Sequence, residues 1–375
     1  MKPDCHSIRQ QSLRAVRRMV VKVGSGVLTA DGRLKPRAVS RLVADIMGVR
    51  DNGIEVVLVS SGAVASGLDR LGLSTPPRSI DRKQAAAAIG QPRLMRSYAR
   101  AFDRGGVQVG QVLLTDGDLT HRSRFLNIRH TLAVLLKHGI LPIVNENDSV
   151  SFDEIKIGDN DRLSGLVAHL VSADLLVLLT NVDGILEGGP TGKRIPLVPP
   201  DHCLMKNVDP RGSPTGTGGI ATKIEAATLA GKWGIPTVVA DGNRRDALQQ
   251  IIAGRDVGTF FVPTPRKISS RKRWIALAAG VRGTLVVDHG ASVAITRKHK
   301  SLLPSGIVAV RGQFSRGCPV EIEDDHGDVL ARGLTCYSSN EIERIMGHRT
   351  SQIRSILGYA YASEVIHCDD LVLID

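Results

Sequence analysis

Aromatic residues are scarce in this chain. Two Trp, four Tyr and six Phe make up 3% of 375 residues, so aliphatic side chains must build whatever core exists. No apolar run approaches the 18 or so residues that a membrane span needs. The N-terminus is basic (Arg9, Arg14, Arg17, Arg18) but carries Asp4 and no unbroken apolar stretch before Lys22, which argues against a secretory leader. The five cysteines (Cys5, Cys203, Cys318, Cys336, Cys368) are far apart and form no CxxC pair. That argues against a disulfide framework or zinc site and leads us to expect reduced thiols in the cytoplasm. A P-loop is missing too: Gly189-Pro190-Thr191-Gly192-Lys193 lacks the GxxxxGK[ST] spacing. The dinucleotide fingerprint GxGxxG starts at Gly24 and Gly26 but fails at Thr29, so a dehydrogenase is a distant reading. There is no internal repeat.

What is present is ordinary in bulk and uneven in place. Hydrophobic residues make up 42% and charged residues 23%, as in a soluble globular protein, and the length suits two domains. The net charge of +12 is local: residues 1–22 carry +5, residues 264–300 carry +8, and the rest sums to −1. Such clusters suit an acidic partner or a solvated linker. Across 19–262, Met19–Val23, Glu55–Ser60, Val107–Leu114, Ile140–Val144, Leu175–Thr180 and Pro236–Ala240 read as strands apolar on both faces. Pro36–Arg50, Asp81–Arg104, His121–His138, Arg162–Ser172, Ala221–Trp233 and Arg244–Ala253 read as the helices between them. The expectation is an α/β domain over 15–262, a mostly parallel sheet sandwiched by helices. A basic linker over 263–280 and a small β-rich barrel over 281–375 follow. In that barrel Thr284–Val287, Val293–Ile295, Gly306–Val310, Val320–Glu323, Val329–Gly333 and Leu371–Ile374 read as strands and Ser339–Met346 as a helix.

Ligands of open α/β sheets bind beyond the carboxyl ends of the strands, and three such ends carry chemistry. In Val20-Val21-Lys22-Val23-Gly24-Ser25-Gly26 a lysine sits in an apolar strand, unfavourable unless an anion compensates it. The glycines after it let backbone N–H groups approach a phosphate. Val59-Ser60-Ser61-Gly62-Ala63 ends a strand and opens a helix; a serine N-cap is its plainest reading and an anion site the sharper one. Thr215-Gly216-Thr217-Gly218-Gly219-Ile220-Ala221-Thr222-Lys223 leads a flexible loop into a helix whose first turn holds a lysine. Positive charge there is unfavourable without an anionic partner. Asn145-Glu146-Asn147-Asp148 and Gly158-Asp159-Asn160-Asp161 could be Asx turns, or could hold an ammonium, a Mg²⁺ and the lysines in register.

Together these residues resemble the amino acid kinase family, and more narrowly the bacterial glutamate 5-kinases. The resemblance rests on the clusters above, on Gly90-Gln91, Gly110-Gln111 and Phe125-Leu126-Asn127, and spans essentially the whole chain. The C-terminal part resembles a PUA domain through Arg271-Lys272-Arg273-Trp274, Ser301-Leu302-Leu303-Pro304, Phe314-Ser315-Arg316-Gly317 and Ile356-Leu357-Gly358-Tyr359. It implies that Lys22 and Lys223 are catalytic cations positioned by Asp161, and that Ser61, Asp148 and Asn160 hold glutamate. Lys22, Gly24, Ser25, Thr180, Asn181 and Thr217, Gly218, Gly219, Ile220, Ala221, Thr222 and Lys223 would line the ATP site, with Mg²⁺ bound mainly through ATP and no metal ligand from the protein. The product would be glutamyl 5-phosphate, the first step of proline synthesis. A carboxylate is already a nucleophile at neutral pH, which fits the lack of a histidine constellation around these motifs. Asn181 stands where the family usually has Asp, Ile185-Leu186-Glu187-Gly188-Gly189 lacks its Tyr and Asp-Pro, and Cys368 replaces a common Arg.

The partners implied are L-glutamate and ATP, a dimer or tetramer of this chain, and no membrane. The reductase that takes glutamyl phosphate in the next step is left open as a partner; RNA binding is open but not expected. The alternatives are an RNA-binding or RNA-modifying protein and a kinase of the same fold for another small acid. Asp148 disfavours acetylglutamate, which has no free ammonium.

Overall fold

Eight strands form the central sheet of the first unit: β1 (Arg18–Val23), β2 (Glu55–Ser60), β3 (Val109–Leu114), β4 (Leu141–Glu146), β5 (Leu175–Thr180), β6 (Leu197–Val198), β7 (Thr237–Asp241) and β8 (Thr259–Phe261). The order is β3-β4-β2-β1-β5-β7-β8-β6, parallel throughout except where β8 meets β7. The structure is a computed structural model and describes residues 5–30, 33–73, 75–77, 79–120, 122–150, 160–188, 192–200, 219–264 and 281–374. It divides into two compact units, Met1–Pro265 and Arg266–Asp375.

Ten helices accompany the first sheet among the described residues: α1 (Cys5–Leu13), α2 (Ser25–Leu28), α3 (Pro36–Arg50), α4 (Ala63–Gly67), α5 (Ile80–Asp103), α6 (Asp116–Thr120), α7 (Arg122–Lys137), α8 (Asn160–Leu170), α9 (Ile220–Lys232) and α10 (Ala247–Ile252). Strand side chains alternate between the faces. Met19, Val21, Val23, Val56 and Leu58 pack with Leu42, Ile46, Leu94 and Tyr98 of α3 and α5. Val20, Val57, Val144 and Leu176 pack with Leu163, Val167, Ala226 and Ala230 of α8 and α9. The pleat therefore turns Lys22, two residues after Val20, toward α8 and α9.

Two contacts brace this frame. The helices α4 and α5 meet backbone to backbone: a Cβ on Gly90 would lie 1.9 Å from the Ala63 carbonyl oxygen, and one on Gly67 2.0 Å from that of Ala86. On α1, the buried Arg9 donates to the carbonyls of Pro196, Arg255, Val257 and Gly258 and pairs with Asp256 at 3.3 Å, tying the helix to the β6–β8 edge. Neither α1 nor the short strands β6 and β8 shows in the periodicity.

The second unit holds β9 (Thr284–Val287), β10 (Ile307–Arg311), β11 (Pro319–Glu323), β12 (Val329–Leu334) and β13 (Leu371–Leu373) in the order β10-β9-β11-β12-β13. This is the small β-rich unit expected after the α/β domain. One departure is Val293–Ile295, expected as a strand, which lies within helix α11 (His289–Thr296). The Asp288 side chain accepts from the Ala291 N–H and caps that helix. A short apolar run has no period of its own, and the cap decides its state.

Candidate active site

Asp161 lies in the first turn of α8, is fully buried, and faces the carboxyl end of β1. Lys22 Nζ is 2.5 Å from its Oδ1, and Lys223 Nζ is 3.0 Å from its Oδ2. Thr222 Oγ1 also donates to Oδ2, at 2.9 Å. The lysines are themselves only 4% and 6% exposed. Burial pushes the Asp161 carboxyl up, but the two ammonium groups outweigh it and hold it below the usual carboxylate range. Both lysines thus have the anionic partner their sequence contexts required. Two ammonium groups gathered on one buried carboxylate make a site that favours an incoming anion.

Beside this cluster the end of β2, the end of β4, α5 and the start of α8 meet through side-chain amides. Asn160 Nδ2 donates to Ser61 Oγ at 3.0 Å and to Asn145 Oδ1 at 3.1 Å. Asn145 Oδ1 also accepts from the Glu146 N–H at 2.9 Å, and its Nδ2 donates to Gln91 Oε1 at 2.9 Å. Asp148 follows on the same loop, half-buried, its carboxyl pushed up to about 7 by burial and by the neighbouring Glu146 charge. Five of the six residues expected at the catalytic and glutamate sites, all but Asp148, are tied into this hydrogen-bonded and ion-paired assembly.

The loop geometry corrects two expectations. Ser60 and Ser61 do not cap α4: Gly62 takes the cap position with φ +100°, a left-handed backbone suited to glycine, and no side chain closes it. Ser61 Oγ serves Asn160 instead. Gly24 does not offer its N–H outward, because it donates to the Leu179 carbonyl at 3.1 Å and extends the β1–β5 ladder. The turn it begins leads into α2 at Ser25. A Cβ on Gly26 would lie 3.8 Å from Asn181 Nδ2, which brings the 24–26 and 180–181 turns together. Asn181 is exposed; Thr180 Oγ1 reaches its Oδ1 at 3.4 Å. Gly219 caps α9, with Ile220, Ala221 and Thr222 in the first turn before Lys223. Thr217 and Gly218 of the expected ATP site, like Gly158 and Asp159, lie outside the described residues.

The sequence analysis placed Asn145 in a candidate cluster and Gln91 in a motif of the resemblance, but gave neither residue a role of its own. The available signal was two amides at the end of one strand and the middle of one helix, positions where an apolar residue would suffice for packing. A separate cavity of about 620 Å³ lined by Arg33, Lys35, Arg37, Arg41 and Asn243 contains none of these residues.

Comparisons with known proteins place the chain in a family. Residues 17–241 match the amino acid kinase family and residues 283–357 match the PUA domain. Glutamate 5-kinase of Geobacter sulfurreducens is 48% identical over 373 residues, covering 98% of this chain and 100% of its own length. Glutamate 5-kinase of Syntrophotalea carbinolica is 46% identical over 374 residues with the same coverage, and that of Myxococcus xanthus 46% over 376. This chain belongs to the amino acid kinase family, in its glutamate 5-kinase branch, with a PUA domain following the kinase unit.

Proposed function

We propose that the chain transfers the γ-phosphoryl group of ATP to the side-chain carboxylate of L-glutamate, forming glutamyl 5-phosphate and ADP at the start of proline synthesis. The observation that carries this reading is Asp161 held between Lys22 and Lys223 at the carboxyl ends of the sheet. A carboxylate oxygen of glutamate attacks the γ-phosphorus, the bond to the β,γ-bridging oxygen breaks, and ADP departs with that oxygen. No proton has to move, so no general base is required. The difficulty is electrostatic, because two anions must meet and the transferring group carries charge on its oxygens. The Lys22 and Lys223 ammonium groups answer it, with Asp161 keeping them apart and oriented.

Asp148 pairs with the substrate ammonium, while Asn160 and Ser61 complete the glutamate pocket. ATP lies along the 24–25 and 180–181 turns and the start of α9. Magnesium arrives with the ATP phosphates. Asp161, the carboxylate at the centre, has Oδ1 engaged by Lys22 and Oδ2 by Lys223 and Thr222, which leaves it a poor metal ligand. Bound there, Mg²⁺ would neutralise phosphate charge.

The test is ADP release with Mg-ATP and a panel of glutamate, aspartate, N-acetylglutamate and carbamate. Glutamate alone should support turnover. Turnover with carbamate or N-acetylglutamate in its place would refute the reading.

A further inference from the structure

The amide chain Gln91–Asn145–Asn160–Ser61 has a direction, and one atom sets it. An asparagine amide can be turned either way, so its orientation must come from a partner whose role is unambiguous. The Glu146 backbone N–H can only donate, and it meets the Asn145 side chain at 2.9 Å, so that atom is Oδ1. Asn145 Nδ2 then faces Gln91, which must answer with Oε1. On the other side Asn145 Oδ1 can only accept, so Asn160 presents Nδ2 to it and to Ser61. Asn160 Oδ1 is left buried with no hydrogen-bond partner among the described residues. The chain ends in an acceptor, the polarity an ammonium group needs.

Gln91 is the far end of that chain and touches none of the reacting groups. It is 7% exposed, and its Nε2 is a buried donor with no hydrogen-bond partner among the described residues. Burying an unpaired donor is unfavourable, and methionine would fill a slot of this length without it. The glutamine is thus better explained by its Oε1, which accepts the hydrogen bond from Asn145 Nδ2. Its backbone is fixed in place, since neighbouring Gly90 sits against the Ala63 carbonyl with no room for a Cβ.

We infer that Gln91 is a positioning and specificity-determining residue for the amino-acid substrate: it locks Asn145 in one orientation, so that Asn160 turns its Oδ1, not its Nδ2, toward the substrate ammonium. The inference rests on the glutamate reading above. Were Asn145 free to swing away from Gln91, Asn160 would lose its fixed donor contact and could present an N–H to the ammonium, which repels it.

The test is initial-rate kinetics on the full chain with Gln91→Met, Gln91→Glu, Asn160→Leu and the Gln91→Met/Asn160→Leu double variant. Gln91→Met should raise the glutamate KM about tenfold and leave the ATP KM within about twofold. Gln91→Glu keeps an acceptor for Asn145 and should stay within about threefold of wild type. In the Asn160→Leu background the same Gln91→Met change should add less than about twofold, because its effect passes through Asn160. Gln91→Ser, too short to reach Asn145, should show the same split and stands in if Gln91→Met does not fold. An unchanged glutamate KM in Gln91→Met, a parallel rise in both KM values, or full additivity with Asn160→Leu would overturn the inference. Wild-type protein that turns over ATP without glutamate dependence would instead overturn the function on which it rests.

Discussion

Lys22 and Lys223, 201 residues apart in sequence, reach Asp161 from a strand and a helix, and each does so for a local reason. The pleat turns Lys22 out of the Val21 face, and the first turn of α9 points Lys223 at the same carboxylate. If both act on the transferring phosphoryl group, Lys22→Met or Lys223→Met should lower kcat by about 10²-fold or more with modest change in KM. Wild-type kcat in either variant, with circular dichroism unchanged, would remove that residue from the chemistry. Asp148 makes a different prediction. Its carboxyl is raised to about 7 by burial and by Glu146, and only the ionised form pairs with an ammonium. For the free enzyme kcat/KM for glutamate should be flat above that pH and fall about tenfold per unit below it. Asp148→Asn should remove the bend and raise the glutamate KM by roughly 10- to 150-fold, with little effect on ATP. The ionisable members of the site were legible in the sequence because a charge in an apolar strand or at a helix start demands a partner. Asn145 and Gln91 stood in motifs the sequence singled out, but their individual roles were not legible, since neutral amides announce no such imbalance and only their coordinates show the chain they form.

At the scale of elements, the parallel strands and long helices followed from apolar runs and 3.6-residue periods, and their ends moved by a few residues. The shift matters at α8: a start at Asn160 instead of Arg162 puts Asn160 and Asp161 inside the first turn, where an acidic residue is favoured. What could not be read were elements held by tertiary contacts. The helix α1 is fixed by Arg9 to four carbonyls, and Arg9→Ala should reduce unfolding free energy by about 3 kcal/mol in urea melts while leaving both KM values near wild type. The α4–α5 crossing is equally specific. Gly90→Ala places a methyl group 1.9 Å from the Ala63 carbonyl, so it should destabilise by about 1–3 kcal/mol and, by displacing Gln91, raise the glutamate KM as well. A thermal melt matching wild type would show that the helices can part without strain. The strand reading of Val293–Ile295 failed for the same kind of reason, because the Asp288 cap lies outside the apolar run that suggested it.

Across the whole molecule, every residue given a chemical role lies between Lys22 and Lys223, inside the unit Met1–Pro265. A chain ending at Pro265 should therefore fold and still phosphorylate glutamate; a folded but inactive product would assign the PUA domain a part in shaping the site. Residues 281–375 carry ten Lys and Arg against twelve Asp and Glu, and the described Arg311 and Arg332 pair with Glu323 and Glu321. That balance gives the PUA domain itself no basic field for nucleic acid, so filter binding at low salt should detect no RNA affinity that depends on residues 281–375. Phosphoryl transfer to glutamate is defined by which bond is made. Glutamate labelled with ¹⁸O in both side-chain carboxyl oxygens, turned over with Mg-ATP and trapped with hydroxylamine, should release inorganic phosphate carrying one ¹⁸O atom, because hydroxylamine attacks the acyl carbon and expels the bridging oxygen. Phosphate free of label, or hydroxamate that does not form, would contradict phosphoryl transfer to the glutamate side chain.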